Sequence, residues 1–381
     1  MKVLIVVTHL LGTGHLSRAA TLARAFQDAG HETVLVSGGG QAPQLNLDGL
    51  KIVQLPPVRS DGTNFSRLLD ARGLDVSVNT IAERSQVLNA TAGRFGPDVL
   101  ITELFPFGRR NLTPEFLSLL ETVQTMSRPP VVLSSIRDIL APPSKPEKVQ
   151  RADDIIDAFY TGVLVHSDPD WIQLEESWPI SDGLRRRLQY TGFVAPEEPR
   201  PGLGHTDGSE EIIVSAGGGA VGRAVYITAL DAAHQDSKRT WRLLVGGSDP
   251  EPLISELKSH ASSANVVIEP ARPDFRQLLL NAAASVSMSG YNTVLDLLQT
   301  GTPSVLIPFD DGNEVEQTRR AVALVRAGGF SCLRTEELTG TTLAKSVANA
   351  ITAGRRPVTR KGMNGAAETV QIAETLSSAR A

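Results

Sequence analysis

Short segments rich in valine, isoleucine and leucine alternate with amphipathic segments along the chain, and this alternation limits the fold more than any other feature. Apolar segments without polar alternation are typical of parallel strands that helices cover on both faces. The predicted strands are Val3–Val7, Thr33–Val36, Ile52–Leu55, Val99–Thr102, Val131–Ser134, Gly162–Val165, Glu211–Ser215, Trp241–Val245, Val266–Glu269, Ala284–Met288 and Ser304–Pro308. Helical patterns lie between most of them, which predicts an α/β protein.

The segment after the first strand carries a clear helical pattern. Ala19, Leu22, Ala23 and Phe26 recur at i, i+3, i+4 and i+7, which places them on one face of a helix. Gly30 follows this pattern, and glycine commonly ends a helix because it adopts a positive φ without strain. The first strand is therefore predicted to turn into a helix that packs on the sheet.

The 381 residues suggest two domains. Between Phe193 and Ser209, proline, glycine and charged residues replace the periodic pattern. A second series then begins and repeats the arrangement of strand, glycine loop and helix. We therefore predict domains at residues 1–195 and 210–365, joined by a linker at 196–209.

The composition excludes several functional classes. A formal net charge of -5 gives no global reason to expect nucleic-acid binding. The single cysteine, Cys332, excludes a disulfide framework and a cysteine-based zinc site, and it suits a reducing compartment. No segment approaches the roughly 20 apolar residues that a membrane span needs. We expect a cytoplasmic protein.

The glycine loop after the first strand is the first candidate ligand site. Gly12, Thr13, Gly14 and His15 stand where the strand turns into the helix, and glycines allow a ligand to approach the backbone closely. A nicotinamide-binding loop would need a third glycine, where this chain has Ser17. It would also need an acidic residue after the second strand, which instead ends in "LVSGGG". The loop therefore does not predict a dinucleotide site.

The second glycine loop, Gly217-Gly218-Gly219, resembles a phosphate-binding loop in spacing. Arg223 and Ala224 replace the lysine and the hydroxyl residue that such a loop uses, so the usual magnesium ligand is missing and ATP hydrolysis is not predicted. The backbone N–H groups of residues 215–219, beginning at Ser215, still lie before a predicted helix. Because a helix N-terminus attracts anions, they predict a diphosphate site.

A third segment adds the elements of a nucleoside site. Ser289 and Gly290 follow a strand, and Asn292 precedes Thr293, which is predicted to open a helix that carries Asp296 on its first turn. A carboxylate there can accept both hydroxyls of a ribose. The next predicted helix opens with Glu316 and Gln317, whose side chains can reach a sugar ring. Together these residues predict a nucleoside-diphosphate-sugar site.

In these segments the chain resembles the GT-B glycosyltransferases of the MurG type, in family 28. The family pattern S-G-x-x-T-x-x-[DE]-x-x-x-x-G-x-P is matched from Ser289 onward, with Asp296 at the acidic position. The family's Gln-Gln pair is Glu316-Gln317 here, and its N-terminal glycine loop is matched by residues 12–15. The resemblance implies a GT-B fold, with two Rossmann-like domains of parallel strands facing a cleft, and a final helix at 366–381 that packs back on the first domain.

The resemblance also implies a chemistry. A UDP-sugar would donate its sugar to an acceptor hydroxyl with inversion and without a metal or other cofactor. The backbone at Arg272 would read the uracil ring. His15, as an imidazole titrating near pH 7, would be the general base. Asp138 and Glu103, each after a predicted strand, are the alternative bases.

Several alternatives remain open at this point. A nucleotide-sugar hydrolase or epimerase on the same fold, or a non-catalytic nucleotide-sugar binding protein, fits the same loops, and a hydrolase of the pseudaminic-acid pathway shares the Gly-His signature. The acceptor can be a small molecule, a glycan or a lipid-linked molecule. The segment Phe105–Leu120 allows peripheral contact with anionic lipid, although an acceptor-side loop followed by a core-packed helix is the favoured interpretation.

Overall fold

The computed structural model describes residues 1–43, 45–62, 64–200, 207–216, 220–247, 249–261, 265–310 and 315–380. The chain divides into two compact units. One comprises Met1–Pro196 with Gly362–Ala381, and the other comprises Glu197–Lys361. Each unit is built on its own parallel sheet.

The part of the first unit before residue 197 contains nine described strands and five of the described α-helices. The strands are β1 (Lys2–Val7), β2 (Glu32–Ser37), β3 (Ile52–Gln54), β4 (Arg59–Asp61), β5 (Asn64–Leu69), β6 (Val99–Glu103), β7 (Val131–Arg137), β8 (Gly162–His166) and β9 (Leu188–Tyr190). The helices are α1 (Gly14–Asp28), α2 (Val78–Phe95), α3 (Thr113–Gln124), α4 (Pro146–Phe159) and α5 (Asp182–Arg185). Seven strands form a parallel sheet in the order β3-β2-β1-β6-β7-β8-β9, and β4 pairs with β5 as an antiparallel hairpin.

Burial on both faces explains the apolar runs of this sheet. In β1, Leu4 and Val6 belong to one hydrophobic core, whereas Val3, Ile5 and Val7 belong to another. Alternate side chains of a strand point to opposite faces, so helices must cover both. The predicted apolar face of α1 packs into the second of these cores, and Gly30 has φ 82° just beyond the helix, as predicted.

The second unit repeats this architecture with six described strands and six described helices. The strands are β10 (Ile212–Ser215), β11 (Trp241–Val245), β12 (Val266–Pro270), β13 (Ala284–Ser287), β14 (Ser304–Leu306) and β15 (Phe330–Cys332). The helices are α6 (Ala220–Gln235), α7 (Glu251–His260), α8 (Phe275–Asn281), α9 (Tyr291–Thr300), α10 (Glu316–Ala327) and α11 (Gly340–Ala353). The strands form a parallel sheet in the order β12-β11-β10-β13-β14-β15.

The final helix, α12 (Gly365–Ser378), belongs to the first unit, where it packs on α1 and β7. His31 Nε2 lies 2.9 Å from Glu374 Oε1, and Arg380 donates a hydrogen bond of 2.7 Å to the carbonyl of Pro130. These polar contacts hold the end of the chain on the first unit. No helix in the described part of the chain has the length and apolarity that crossing a bilayer requires.

The strand order of each sheet determines where a ligand can bind. In the first sheet the chain leaves β1 for β2 on one side, and it later returns to β6 on the other. In the second sheet β10 lies between β11 and β13 in the same way. Loops diverge at such a switch point and open a crevice at the carboxyl ends of the strands. The crevices lie at β1/β6 and at β10/β13.

Candidate active site

His15 lies at the switch point of the first sheet. It occupies the first turn of the 15-residue helix α1, immediately after the loop that follows β1. Gly12 in that loop has φ 65°, a conformation that a residue with a side chain rarely adopts. Thr13 is the N-cap residue and Gly14 opens the helix. The loop thus directs an imidazole, 11% exposed, toward the carboxyl edge of the sheet.

Glu103 meets His15 from the other side of the switch point. It is the last residue of β6, the strand next to β1, and its carboxylate is 1% exposed. His15 Nδ1 lies 2.8 Å from Glu103 Oε1. A carboxylate can only accept, so Nδ1 carries the proton and Nε2 keeps its lone pair. Within the described residues, Nε2 has no hydrogen-bond partner, and it is the basic atom of the pair.

Charge and hydrogen bonds keep Glu103 ionised. Burial raises the pKa of its carboxyl, but the adjacent Arg18 guanidinium and the hydrogen bond to His15 outweigh that effect and hold the pKa well below its usual range. Arg18 Nη2 donates to Oε1, and Ser135 Oγ donates to Oε2 at 2.6 Å. Glu103 is therefore positioned to orient His15 and to stabilise its protonated form, rather than to act as a base itself.

His15 differs from the sequence-based expectation in its titration. The expected imidazole titrates near pH 7, whereas burial, aided by the charges of Arg109 and Arg137, lowers its pKa to about 3 against the opposing effect of Glu103. The main reason is that the folded chain buries the ring, which the sequence pattern did not reveal. At neutral pH the imidazole is uncharged and can accept a proton.

A chain of buried hydrogen bonds extends behind Glu103. Ser135 Oγ gives its single proton to Glu103, so at 2.9 Å it accepts a hydrogen bond from Nε2 of His166. Thr191 Oγ1 lies 2.8 Å from Nδ1 of the same ring. Burial lowers the pKa of His166 to about 3, so this imidazole is also neutral. The network fixes the carboxylate that orients His15.

Asp138, the other predicted base, lies just beyond the end of β7, the strand next to β6. It is 1% exposed, and its Oδ1 accepts a hydrogen bond of 2.9 Å from the N–H of Ile139.

The loop between β6 and α3 contributes a strained arginine to the same edge. Leu104 has φ 68° and Arg109 has φ 59°, both unfavourable for residues with a side chain. Nε of Arg109 is buried without a hydrogen-bond partner among the described residues. Phe105 and Phe107 are 1% and 3% exposed and pack in the core, so they are not surface anchors for a membrane. The packing agrees with the favoured interpretation of Phe105–Leu120 as a loop followed by a core-packed helix.

In the second unit, three predicted donor residues meet at the N-terminus of α10. Ser289 Oγ donates to the carbonyl of Gln317 at 2.9 Å, and the backbone N–H of Phe309 donates to Gln317 Oε1 at 3.1 Å. Arg320 donates to the carbonyl of Ser289 and to Oε1 of Glu316, both at 2.8 Å. The amide NH₂ of Gln317 has no partner among the described residues, and it remains available as a donor.

The helix that carries Asp296 begins earlier than predicted. Gly290 is the N-cap of α9, which starts at Tyr291 rather than at Thr293, so Asp296 lies in the second turn. Asn292 is on the first turn and half-buried. Arg276 Nε lies 2.9 Å from Asp296 Oδ1, yet burial raises the pKa of Asp296 to about 7.

The diphosphate loop is described only at its two ends. Gly217, Gly218 and Gly219 lie outside the described residues. Ser215 is the last residue of β10 and stands beside Ser287 of β13, at the switch point of the second sheet. A Cβ on Gly222 would lie 2.8 Å from the carbonyl oxygen of Ala216, so a glycine is needed for α6 to approach the strand end.

Arg272 follows β12, as the sequence predicted. Its guanidinium contacts Asp274 at 2.6 Å and Asp207 at 3.0 Å, and these carboxylates raise its pKa. Arg223 pairs in the same way with Glu256 on α7, at 2.9 Å from its Nε. The charges of both arginines are therefore neutralised within the second unit.

Four residues that support these sites escaped the sequence analysis: Arg18, Ser135, His166 and Arg320. Arg18 and Arg320 carried the clearest signal, because each is a charged residue on a buried helix face, one turn after His15 or Glu316. No cluster of three or more metal-ligating side chains exists in the part of the chain that the structure describes.

Comparison with known protein families finds a match in the second half of the chain. Residues 213–376, which include most of the second unit and much of α12, match the Glycosyltransferase family 28 C-terminal domain. The predicted resemblance is confirmed for this part of the chain, which contains Ser215, Ser289, Asp296 and Gln317.

Two curated relatives bear the name UDP-N-acetylglucosamine--N-acetylmuramyl-(pentapeptide) pyrophosphoryl-undecaprenol N-acetylglucosamine transferase. The protein from an Exiguobacterium species is 35% identical over 94 residues, 25% of this chain and 26% of the relative. The protein from Lactiplantibacillus plantarum is 29% identical over 133 residues, 34% of this chain and 37% of the relative. The matched segments thus span well under half of these relatives.

Solved structures extend the likeness to both units at the level of fold. MurG from Acinetobacter baumannii is 14% identical with a TM-score of 0.58, over 99% of this chain and 98% of that one. The spinosyn forosaminyltransferase SpnP is 15% identical with a TM-score of 0.64, over 99% of each chain. The glycosyltransferase VinC, solved with dTDP, is 16% identical with a TM-score of 0.60, over 98% of this chain and 95% of that one. The chain has the GT-B fold, as predicted.

Proposed function

We propose that this protein transfers a sugar from a nucleoside-diphosphate sugar to the hydroxyl of an acceptor, with inversion and without a metal cofactor. The observation that carries the proposal is the hydrogen bond between His15 and Glu103 at the switch point of the first sheet. It leaves a neutral imidazole nitrogen with a free lone pair, in a chain whose residues 213–376 match the family 28 C-terminal domain.

His15 Nε2 accepts the proton of the acceptor hydroxyl as that oxygen bonds to the anomeric carbon of the donor. The bond between this carbon and the diphosphate oxygen breaks with its electron pair, and the nucleoside diphosphate leaves. A single displacement from the opposite face inverts the configuration. Glu103 stabilises the imidazolium that forms, as an orienting carboxylate does in other catalytic pairs.

The donor binds the second unit. The N-terminus of α6 after Ser215 faces the diphosphate, because backbone N–H groups and the helix dipole stabilise negative charge there. Asp296 holds Arg276 through Oδ1, and its Oδ2 accepts the ribose hydroxyls. The NH₂ group of Gln317 donates to the sugar, and the backbone at Arg272 contacts the base.

Uridine is the favoured base because the names of the curated relatives specify a UDP-sugar donor. VinC, which has a similar fold, was solved with dTDP, which like UDP is a pyrimidine nucleoside diphosphate. Glu316 stands where the MurG type has glutamine, and its carboxylate is engaged by Arg320. The proposal therefore leaves the transferred sugar and the acceptor open.

Titration calorimetry with UDP, GDP, dTDP and ADP, in the absence of added metal, tests the donor half of the proposal. We expect UDP to bind most tightly. Asp296→Ala removes hydrogen bonds to a charged group and should weaken UDP binding by about tenfold or more. His15→Ala is the matched control and should bind UDP like the wild type, since His15 lies in the first unit. Failure of every nucleotide to bind would contradict the proposal.

A nucleotide-sugar hydrolase is the second candidate, because the His15–Glu103 pair can take a proton from water as well as from an alcohol. The dependence of donor consumption on an acceptor distinguishes the two functions.

A further inference from the structure

The chain crosses between the two units twice, and both crossings are anchored on the same pair of helices. It leaves the first unit after Pro196 and returns to it at Gly362. We call residues 197–200 the outgoing segment and residues 355–361 the return segment. The helices that hold both segments are α8 and α9, and α9 carries the proposed ribose carboxylate, Asp296.

Arg276, on α8, connects the outgoing segment to Asp296. Its Nη1 donates a hydrogen bond of 2.6 Å to the carbonyl of Glu197, the first residue of the second unit, and its Nε lies 2.9 Å from Asp296 Oδ1. Its Nη2 donates to Oε1 of Gln299, a residue of α9 that is 5% exposed. A guanidinium is planar and rigid, so its contacts do not move independently. A change at Asp296 therefore alters the hydrogen bond to the Glu197 carbonyl.

The return segment is held by both helices as well. Arg355 Nη2 donates a hydrogen bond of 2.6 Å to the carbonyl of Leu280 on α8, and the N–H of Thr359 donates one of 3.0 Å to the carbonyl of Leu298 on α9. The helix pair is therefore fixed to the second crossing of the chain, and it provides a stable support for the outgoing segment.

Two further contacts hold the outgoing segment independently of the ribose carboxylate. Gln277 on α8 donates to the carbonyl of Arg200 at 2.6 Å. Glu198 pairs with Arg360 of the return segment at 2.8 and 2.9 Å. Among the described contacts of this segment with α8 and α9, that of Arg276 is the one that leads directly to the ribose carboxylate.

The charge of Asp296 determines how strongly Arg276 is held. Burial raises the pKa of Asp296 to about 7 although Arg276 opposes that rise, so without a ligand the neutral and charged forms coexist near neutral pH. Ribose hydroxyls that donate to Oδ2 favour the charged form. Because charge-assisted hydrogen bonds are the stronger ones, an occupied ribose site holds Arg276, and with it the Glu197 carbonyl, more firmly.

We infer that Arg276 is a positioning residue that couples the ribose site to the outgoing segment, so that binding of a ribose diol at Asp296 immobilises the start of the connection between the units. The inference rests on the proposed function, because that function assigns the ribose to Asp296. The coupling is reciprocal, so fixing the segment strengthens nucleotide binding by the same factor. The group that the device recognises is the diol of the ribose rather than the diphosphate.

Proteolysis with the glutamate-specific endoproteinase Glu-C tests the inference, because it hydrolyses the exposed Glu197–Glu198 bond at the carbonyl that Arg276 holds. When local opening is fast, the cleavage rate follows the population of the open form. We expect saturating UDP to slow this cleavage by about fivefold or more, the lower end of typical coupling between sites. Saturating 2′,3′-dideoxy-UDP, which has the diphosphate but no ribose diol, should not slow it. Mass spectrometry measures the rate, and cleavage of the exposed Glu175–Glu176 bond in the first unit is the internal reference.

Arg276→Gln removes the link, and Gln277→Ala is its matched control. In Arg276→Gln, UDP should no longer slow the cleavage, and the Kd of UDP should rise by about fivefold or more because the coupling is reciprocal. Gln277→Ala loosens the segment at Arg200 but keeps Arg276. Its cleavage should be faster without a ligand, and UDP should still slow it. Thermal unfolding verifies that both variants fold.

Equal protection by UDP and 2′,3′-dideoxy-UDP, or protection that persists in Arg276→Gln, would overturn the inference. UDP that binds in calorimetry without slowing the cleavage would also overturn it, and it would leave the proposed function standing. If UDP does not bind at all, the proposed function fails, and the coupling to the ribose fails with it.

Discussion

Glu103→Gln tests the contribution of the carboxylate charge beside His15. Glutamine has almost the shape of glutamate, and because Arg18 donates to the same oxygen as His15, its amide oxygen takes the position of Oε1 and its NH₂ group faces Ser135. The hydrogen bond to Nδ1 is kept, but the negative charge that stabilises the imidazolium is lost. Since general-base catalysis contributes about 10²–10⁴-fold, we expect kcat to fall by about 10²-fold or more.

The same change also costs stability, and its size follows from the burial of the pair. Arg18 and Glu103 are 2% and 1% exposed, so the substitution leaves a buried guanidinium without its carboxylate. Breaking such a pair typically destabilises a protein by about 3–5 kcal/mol. Adding Arg18→Met removes the unpaired charge and should restore most of the free energy of unfolding, but it should not restore kcat.

The first unit offers a matched control in a second buried pair. Arg84 donates to Glu115 at 2.7 and 2.8 Å, and both side chains are 0% exposed. Glu115→Gln should lower the free energy of unfolding by a similar amount, about 3–5 kcal/mol. Because Glu115 does not contact His15, its kcat should stay close to that of the wild type.

Urea unfolding gives the stabilities of these variants, and the rate of nucleoside-diphosphate release gives kcat at a temperature where all are folded. A Glu103→Gln enzyme that keeps kcat within about tenfold would refute the role of the Glu103 charge, because general-base catalysis contributes about 10²–10⁴-fold. An equal loss of kcat in Glu115→Gln would attribute the effect to stability alone.

Three further predictions concern pH and packing. Because the pKa of His15 is about 3, kcat/KM should not fall between pH 8 and 5, and an acid limb near pH 6.5 in a pH–rate profile would contradict this. The folded pKa of Asp296, about 7, exceeds its unfolded value of 3.8, so its contribution favours folding below pH 3.8 and is lost as pH rises through 7. From pH 5 to 8, urea unfolding should show that the free energy of unfolding of the wild type falls by about 2–3 kcal/mol relative to that of Asp296→Asn. A difference that stays constant with pH would contradict the raised pKa of Asp296. A Cβ at Gly222 would crowd Ala216, so Gly222→Ala should cost about 1–3 kcal/mol, and an unchanged Tm would argue against it.

Sequence periodicity predicts the elements whose burial leaves a distinct apolar pattern in their own residues. All eleven predicted strands occur in the two sheets, because buried parallel strands are continuous apolar runs. The β4–β5 hairpin, β9 and β15 were missed. β9 and β15 are only three residues long, and their sequences LQY and FSC lack a distinct apolar pattern.

The candidate site was predictable in its residues but not in its contacts. His15 and Glu103 were identified as alternative bases, since a separation of 88 residues does not reveal that β1 and β6 are neighbours. Strand order places them on opposite sides of one switch point, where they form a pair. Ser135 and His166 were missed because each is one polar residue inside an apolar strand.

The predicted start of α9 was wrong by two residues for a physical reason. Glycine disfavours the interior of a helix, but Gly290, in extended conformation (φ -63°, ψ 149°), forms the N-cap. Tyr291 rather than Thr293 therefore opens the helix. In the second turn Asp296 contacts Arg276 on α8, and burial raises its pKa to about 7 although Arg276 opposes that rise.

The most direct test of the proposed transfer reaction follows a UDP-sugar by proton NMR, with and without an extract that supplies small-molecule and lipid-linked acceptors. We predict consumption only with the extract, formation of a glycoside of inverted anomeric configuration, and loss of both in His15→Ala. Equal consumption in the absence of any acceptor would contradict sugar transfer and identify a hydrolase.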